Sequence, residues 1–256
     1  MPTSLTKNIF SYFSKGLAVL FLIAGLATLA NAQQKDVNYT NQQWFQYYNQ
    51  LKINEKFTVL TDGGFRLRNN FSESSQYLLR ASISYSLGPD VKVAAGYANF
   101  GGYLEGNVVI RENRAYQDIT FSQKFTKLSL NQRVRVEERF FKTTQKSNIP
   151  GEKETRFRFR YGIQLTIPLF NLSPNNTDRK MLFQVGDEIF INAGKDIVYN
   201  IFDQNRVLIG PVFQFDKNLS ISLIYNHQYR AINQPSRYAQ DYVFWLGIRQ
   251  KMDFSK

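Results

Sequence analysis

The sequence predicts an all-β chain: a single up-and-down antiparallel transmembrane β-barrel of ten or twelve strands, with twelve favoured. Three observations carry that expectation. Apolar and polar residues alternate with a period of two along almost the whole chain after residue 44. The N-terminus has the layout of a secretory signal. The 22 Phe and 15 Tyr suit an outer surface whose aromatic rings gather at two membrane interfaces.

The N-terminus comes first because it sets the compartment. Lys7 and Lys15 precede an apolar run over 16–29, and Ala30-Asn31-Ala32 follows as a small-x-small cleavage site. A run of 14 residues is short against the roughly 20 that a spanning helix needs. We therefore expect a signal peptide over 1–32, a polar, loose segment over 33–43, and the barrel over 44–256. Cleavage after Ala32 would remove two lysines and no acid, so the net charge falls from +12 to +10. With no cysteine in the chain, neither disulfides nor a lipid-modified cysteine are available. Mean hydropathy is negative. That does not argue against a barrel, whose strands give only every second residue to lipid.

Trp44 opens a strand-like run that turns at Asn54-Glu55. Phe57, Val59, Phe65 and Leu67 then oppose Asp62, Arg66 and Arg68, with Gly63-Gly64 allowing a bend. Tyr77 through Leu87 alternate with Gln76, Arg80 and three serines, and Gly88-Pro89-Asp90 supplies a tight turn. A strand from Val91 is followed by a longer polar connection expected over about 101–113. Ala115, Ile119, Phe121 and Phe125 mark the next strand, which Thr126-Lys127 turns straight into the following one. There Leu130, Val134, Val136 and Phe140 oppose Arg133, Arg135, Glu137 and Arg139. The clearest strand spans 156–169, where seven apolar residues alternate with Arg156, Arg158, Arg160, Gly162, Gln164 and Thr166.

The stretch 182–215 reads as a hairpin with one apolar and one polar face. Phe183, Val185, Ile189 and Ile191 share one parity; Gln184, Gly186, Glu188 and Asn192 share the other. Val207, Ile209 and Phe213 alternate with Arg206, Gly210 and Gln214. Asp216-Lys217-Asn218 leads into a strand with Leu219, Ile221, Leu223 and Tyr225 outward, and the last strand is expected over 241–254. Short turns alternate with longer connections near 101–113, 143–153, 194–202 and 233–240, as periplasmic turns alternate with extracellular loops. The connection 171–180 is an exception. Eleven strand segments can be counted, but a barrel with both ends on one side needs an even number, hence ten or twelve.

These motifs resemble those of Bacteroidetes-type outer-membrane proteins of the domain-of-unknown-function 2490 family. The resemblance rests on Trp44, on Glu137-Glu138-Arg139-Phe140, on the run from Asp187 to Asn192, and on Phe202-Asp203-Gln204-Asn205-Arg206. It implies a Gram-negative outer-membrane barrel, porin-like in build, and no activity comes with it.

The chemistry is read from what the strands present. A barrel hydrolase needs a nucleophile with a histidine in reach. The chain has one histidine, and His227 continues the outward parity of Leu223 and Tyr225. No catalytic, cofactor or metal site is expected. The non-random feature is the inward charge: Arg66, Arg68, Arg133, Arg135, Glu137, Arg139, Arg156, Arg158, Arg160, Glu188 and Arg206 form an expected lumen charge network, with Asp203 a possible member. Carboxylates such as Glu137 and Glu188 would neutralise the arginines and make a plug; water and small anions would make an anion-attracting pore. The plug is favoured because small barrels are filled by their own side chains. Partners are then outer-membrane lipid and, in the pore reading, small anions. Nucleic acid is disfavoured by export and by charges dispersed along alternating positions. The expected function is a non-enzymatic outer-membrane barrel, structural or a narrow anion channel. The alternative is a barrel enzyme acting on lipid or peptide through a nucleophile the sequence does not reveal.

Overall fold

A computed structural model describes residues 36–143, 153–194, 201–232 and 234–255. The expected signal peptide over 1–32 lies outside the described residues. Every regular element among those described is a strand: β1 (Asp36–Lys52), β2 (Phe57–Arg68), β3 (Glu73–Ser86), β4 (Val91–Leu104), β5 (Asn107–Lys124), β6 (Ser129–Thr143), β7 (Lys153–Asn171), β8 (Lys180–Ala193), β9 (Phe202–Gln214), β10 (Leu219–Ala231) and β11 (Arg237–Asp253). Each pairs with its sequence neighbours, and β1 meets β11 to close one barrel. No helix is long and apolar enough to cross a membrane, a statement silent about strands.

The strand count corrects the even-number expectation. Eleven strands are present among the described residues, and every pair of sequence neighbours is antiparallel. β1 and β11 therefore run in the same direction. Their contacts show it: Tyr39 stacks on Tyr242, Trp44 packs edge-on against Trp245, the Tyr47 hydroxyl donates to Gln250, and the Phe254 N–H donates to the Lys52 carbonyl. The numbers rise together on both sides. The seam is parallel, so β1 starts on the rim opposite to the one where β11 ends.

Three stretches also differ from expectation. The segment expected to be loose over 33–43 is already strand from Asp36. The connection expected over 101–113 is instead a two-residue hairpin, Glu105-Gly106, with φ of 49° and 77°. Both central residues are left-handed, as a tight hairpin turn requires. Pairing resumes at once with Leu104 opposite Asn107, and a bulge at Gly102/Tyr103 absorbs the extra residue. Similarly, β11 starts at Arg237, inside the connection expected over 233–240.

The alternation sorts the side chains. Leu79, Ile83, Tyr97, Phe159 and Phe244 lie on the exposed outer face, whereas Glu137, Arg158, Glu188 and Asp241 are buried inside. A soluble protein has the reverse distribution. Charge inside and aromatics outside is the arrangement of a barrel bathed in lipid, and a closed single sheet removes the two-sheet sandwich as a rival.

Packing in the lumen is close enough to be tested at a glycine. A Cβ on Gly96 would lie 2.5 Å from the Ser82 Cβ and 2.5 Å from the Tyr116 Cζ. Tyr116 in turn lies under the Arg135 guanidinium, at 4.0 Å. Gly96→Ala is expected to lower the unfolding free energy of the refolded barrel by about 1–3 kcal/mol, the usual cost of overpacking. An unchanged urea midpoint would contradict this packing.

Candidate functional site in the barrel lumen

The lumen site is built by register. β6 and β7 pair so that Arg135 faces Arg160, Glu137 faces Arg158 and Arg139 faces Arg156. β7 and β8 place Gly162 opposite Glu188, and β8 and β9 place Glu188 opposite Arg206. Alternate residues share a face, so these groups all point inward. Gly162 matters because its missing side chain leaves the room that Glu188 fills: a Cβ there would come within 3.3 Å of the Glu188 Cγ.

Glu137, 1% exposed, is the centre. One of its oxygens accepts from Arg158 Nε at 2.7 Å and from Nη2 at 2.5 Å; the other accepts from Arg160 Nη1 at 2.7 Å. Arg135 and Arg114 stand farther off, at 3.7 and 3.9 Å. Arg158 also reaches Asp203 at 2.7 Å. Glu188 accepts from Arg160 at 2.7 Å and from Arg133 at 2.6 Å, with Arg206 at 3.8 Å. An outlying pair and a triad complete this side: Arg135 is bidentate on Asp118, and Glu112 holds both Arg114 and Arg139. Bidentate pairs of this kind are the strong form of charged hydrogen bond.

Aromatic side chains form the bed for these cations, and of them the sequence reading singled out Trp44 but not Phe100, Tyr116 or Phe141. Arg114 stacks on Phe100 at 3.7 Å, Arg160 on Phe190 at 4.3 Å and Arg66 on Trp44 at 3.7 Å. Arg156 lies over Phe141 at 5.5 Å. Phe100, Tyr116, Phe141 and Phe190 all share the parity of the inward charges, so a strict alternation count places them inside. Guanidinium planes on ring faces exclude water from both partners.

The expected network is thus not one cluster. Arg133, Arg135, Glu137, Arg139, Arg158, Arg160 and Glu188 come together, joined by Asp118, Glu112, Arg114 and Asp203. Arg206 sits at the margin, donating to Gln228 at 2.8 Å. Arg66 reaches no carboxylate among the described residues: it donates to Gln76 at 2.6 Å, and its buried Nε has no partner. Trp245 Nε1 and the Asn226 amide are also unpartnered on this side of the lumen. Arg68 is the exception, because it stands at the end of β2 in an exposed pair with Glu73, at 2.8 Å. Strand ends leave the lumen for the rim, and parity alone does not register height.

His227 faces outward and stacks on Tyr242, with ring centroids 5.4 Å apart. Among the described residues no group of His, Asp and Glu is arranged to hold a metal ion.

Removing the charge of Glu137 leaves two buried guanidinium groups short of a partner. Glu137→Gln is expected to cost about 3–5 kcal/mol of barrel stability, the range for breaking a buried pair, read as a lowered urea midpoint on refolding. Arg68→Ala at the rim should leave the midpoint essentially unchanged. Equal effects at the two sites would contradict the division between waist and rim.

A search of curated proteins returns no match. Among solved structures, the chain is similar to a mutant of the ferric enterobactin receptor from Pseudomonas aeruginosa at a TM-score of 0.32 and 8% identity, covering 71% of this chain and 36% of the receptor. The chain thus spans little more than a third of that receptor's length. A family model described as "Protein of unknown function (DUF2490)" matches residues 41–239. With that match spanning most of the strands, the chain belongs to the DUF2490 family.

Proposed function

We propose that this protein is a non-enzymatic outer-membrane β-barrel whose waist is closed by its own ion pairs, so that its role is structural and not conductive. The observation that carries the reading is burial. Glu112, Arg135, Glu137, Arg158, Arg160 and Glu188 are each between 1% and 6% exposed although they face the lumen. Side chains bordering a water-filled channel would be wetted by it. Charges this dry, each with a counter-charge, mark a filled cross-section.

The apolar outer face supports a lipid environment, and the signal-like N-terminus supports export. The enzyme reading has less behind it. The chain's one histidine stacks on the outer face with Tyr242, and among the described residues no serine or threonine hydroxyl is hydrogen-bonded to an imidazole, the pairing a barrel hydrolase would use. A second reading, a narrow passage for small anions, draws on Arg66, which has no carboxylate partner among the described residues.

Reconstitution of the full-length exported chain into planar bilayers separates these readings. The closed-waist barrel gives no conductance steps, while heat-modifiable migration on a gel shows that it is folded. Anion-selective steps from the unaltered protein would establish the passage and overturn the plug. Recovery of the protein from the periplasm without detergent would remove the membrane assignment.

A further inference from the structure

The rim at which β11 ends holds charges of a different kind from those at the waist. Lys92 on β4, Lys124 at the end of β5, Lys180 at the start of β8, and Arg249 and Lys251 on β11 all carry the inward parity. Register fixes this: Lys92 lies opposite Thr120, Lys124 opposite Ser129, Lys180 opposite Gln214 and Arg249 opposite Ser220. These strands come from three sectors of the ring, so their cations converge on one mouth. Lys92, Lys124, Arg249 and Lys251 are exposed.

None of the five has a carboxylate within salt-bridge distance among the described residues. Lys251 lies within electrostatic reach of Arg249, Lys92 and Lys124. The rim carboxylates Glu55 and Asp253 are engaged by a different cation, Lys52, at 2.9 and 3.4 Å. Beside these cations the inward face carries hydroxyl and amide groups: Ser86 and Thr120 flank Lys92, Ser220 faces Arg249, and Ser122, Asn131 and Ser222 lie next along their strands.

We propose that this mouth is a binding site for a phosphoryl-bearing anion. Like charges gathered without a counter-ion repel one another, and a fold that pairs its waist arginines with carboxylates has the means to pair these too. Uncompensated like charge gathered around one mouth points to use. A ring of lysines and arginines around a wet mouth raises the local concentration of anions and favours multivalent ones. Thr120 and Ser220 place hydroxyls beside these cations, whereas Ser86, Ser122 and Ser222 already donate to Gly88, Asn131 and Gly247. The inference needs only the barrel geometry and holds whether or not the waist conducts.

Titration calorimetry of the detergent-folded full chain with inorganic pyrophosphate tests it. Saturable binding that weakens as salt is raised is expected, and at least tenfold weaker binding for Lys92→Gln combined with Lys124→Gln and Lys251→Gln. All three positions are exposed, so the variant keeps its heat-modifiable migration. Lys52→Gln, at the paired rim lysine, should bind as the unaltered chain does. Dihexanoyl phosphatidic acid, titrated in parallel, separates the sources: binding tighter than pyrophosphate through the same lysines assigns a lipid headgroup, and weaker binding assigns a soluble phosphoryl compound. Absence of saturable binding to the unaltered chain, or equal binding by the triple variant, overturns the proposal.

Discussion

The contact on which the lumen depends is the pair of guanidinium groups closing on Glu137. Arg158 and Arg160 stand two residues apart on β7, so both point inward, and without a carboxylate between them they would repel at close range in a site shut off from water. Glu137, on the adjacent strand, takes one with each oxygen. The arrangement exists only in one register. A slip of one residue between β6 and β7 would turn Glu137 toward the outer face and leave Arg158 and Arg160 without the carboxylate between them. The ion pairs therefore specify the pairing of these strands as well as filling the space between them, a registry role that buried charges are known to serve elsewhere.

Closure imposes a second constraint. With an odd number of strands, β1 and β11 meet parallel, a pairing slightly weaker per residue than the antiparallel kind. The seam is reinforced by side chains: Thr40 donates to the buried Asp241 at 2.6 Å, Arg230 binds the same carboxylate at 2.8 Å, and Trp44 meets Trp245 at a centroid distance of 5.1 Å. Trp44 then serves three strands at once, since Arg66 of β2 lies over its ring and Arg206 of β9 approaches it.

Much of this was legible in the sequence because side-chain parity is a local property. The alternation from Phe157 to Leu169, or from Arg133 to Phe140, needs no knowledge of the rest of the barrel. Three things were not legible, for physical reasons. Strand number is not legible because parity counts eleven segments without showing how the ring closes; the parallel seam between Trp44 and Trp245 that permits an odd number is a long-range event. The hairpin at Glu105-Gly106 is hidden within the polar connection expected over 101–113, whose residues on either side of the turn belong to β4 and β5. Which cations pair and which do not depends on height in the barrel. Arg68 and Arg66 share a parity but end respectively at a solvated rim and on the face of Trp44.

The outer face follows the rule of the lumen with weaker partners. Asp187 points outward between Ile163 and Val207, where a carboxylate has few prospects. Asn205 on the next strand donates to both of its oxygens, at 3.0 and 3.1 Å. Asn99 donates to Asn113 across β4 and β5 at 2.8 Å, and the Tyr161 hydroxyl donates to Gln132 across β6 and β7 at 2.7 Å. Each is a cross-strand pair on one face, the unit by which sheets satisfy side chains. Where water is scarce a polar group must find its partner within the sheet. Inside the barrel that demand selects charged pairs because arginines are plentiful there; outside it selects neutral amides and hydroxyls. The lysines of the mouth, Lys92, Lys124 and Lys251, have no carboxylate partner among the described residues but are exposed, so water meets the demand there instead.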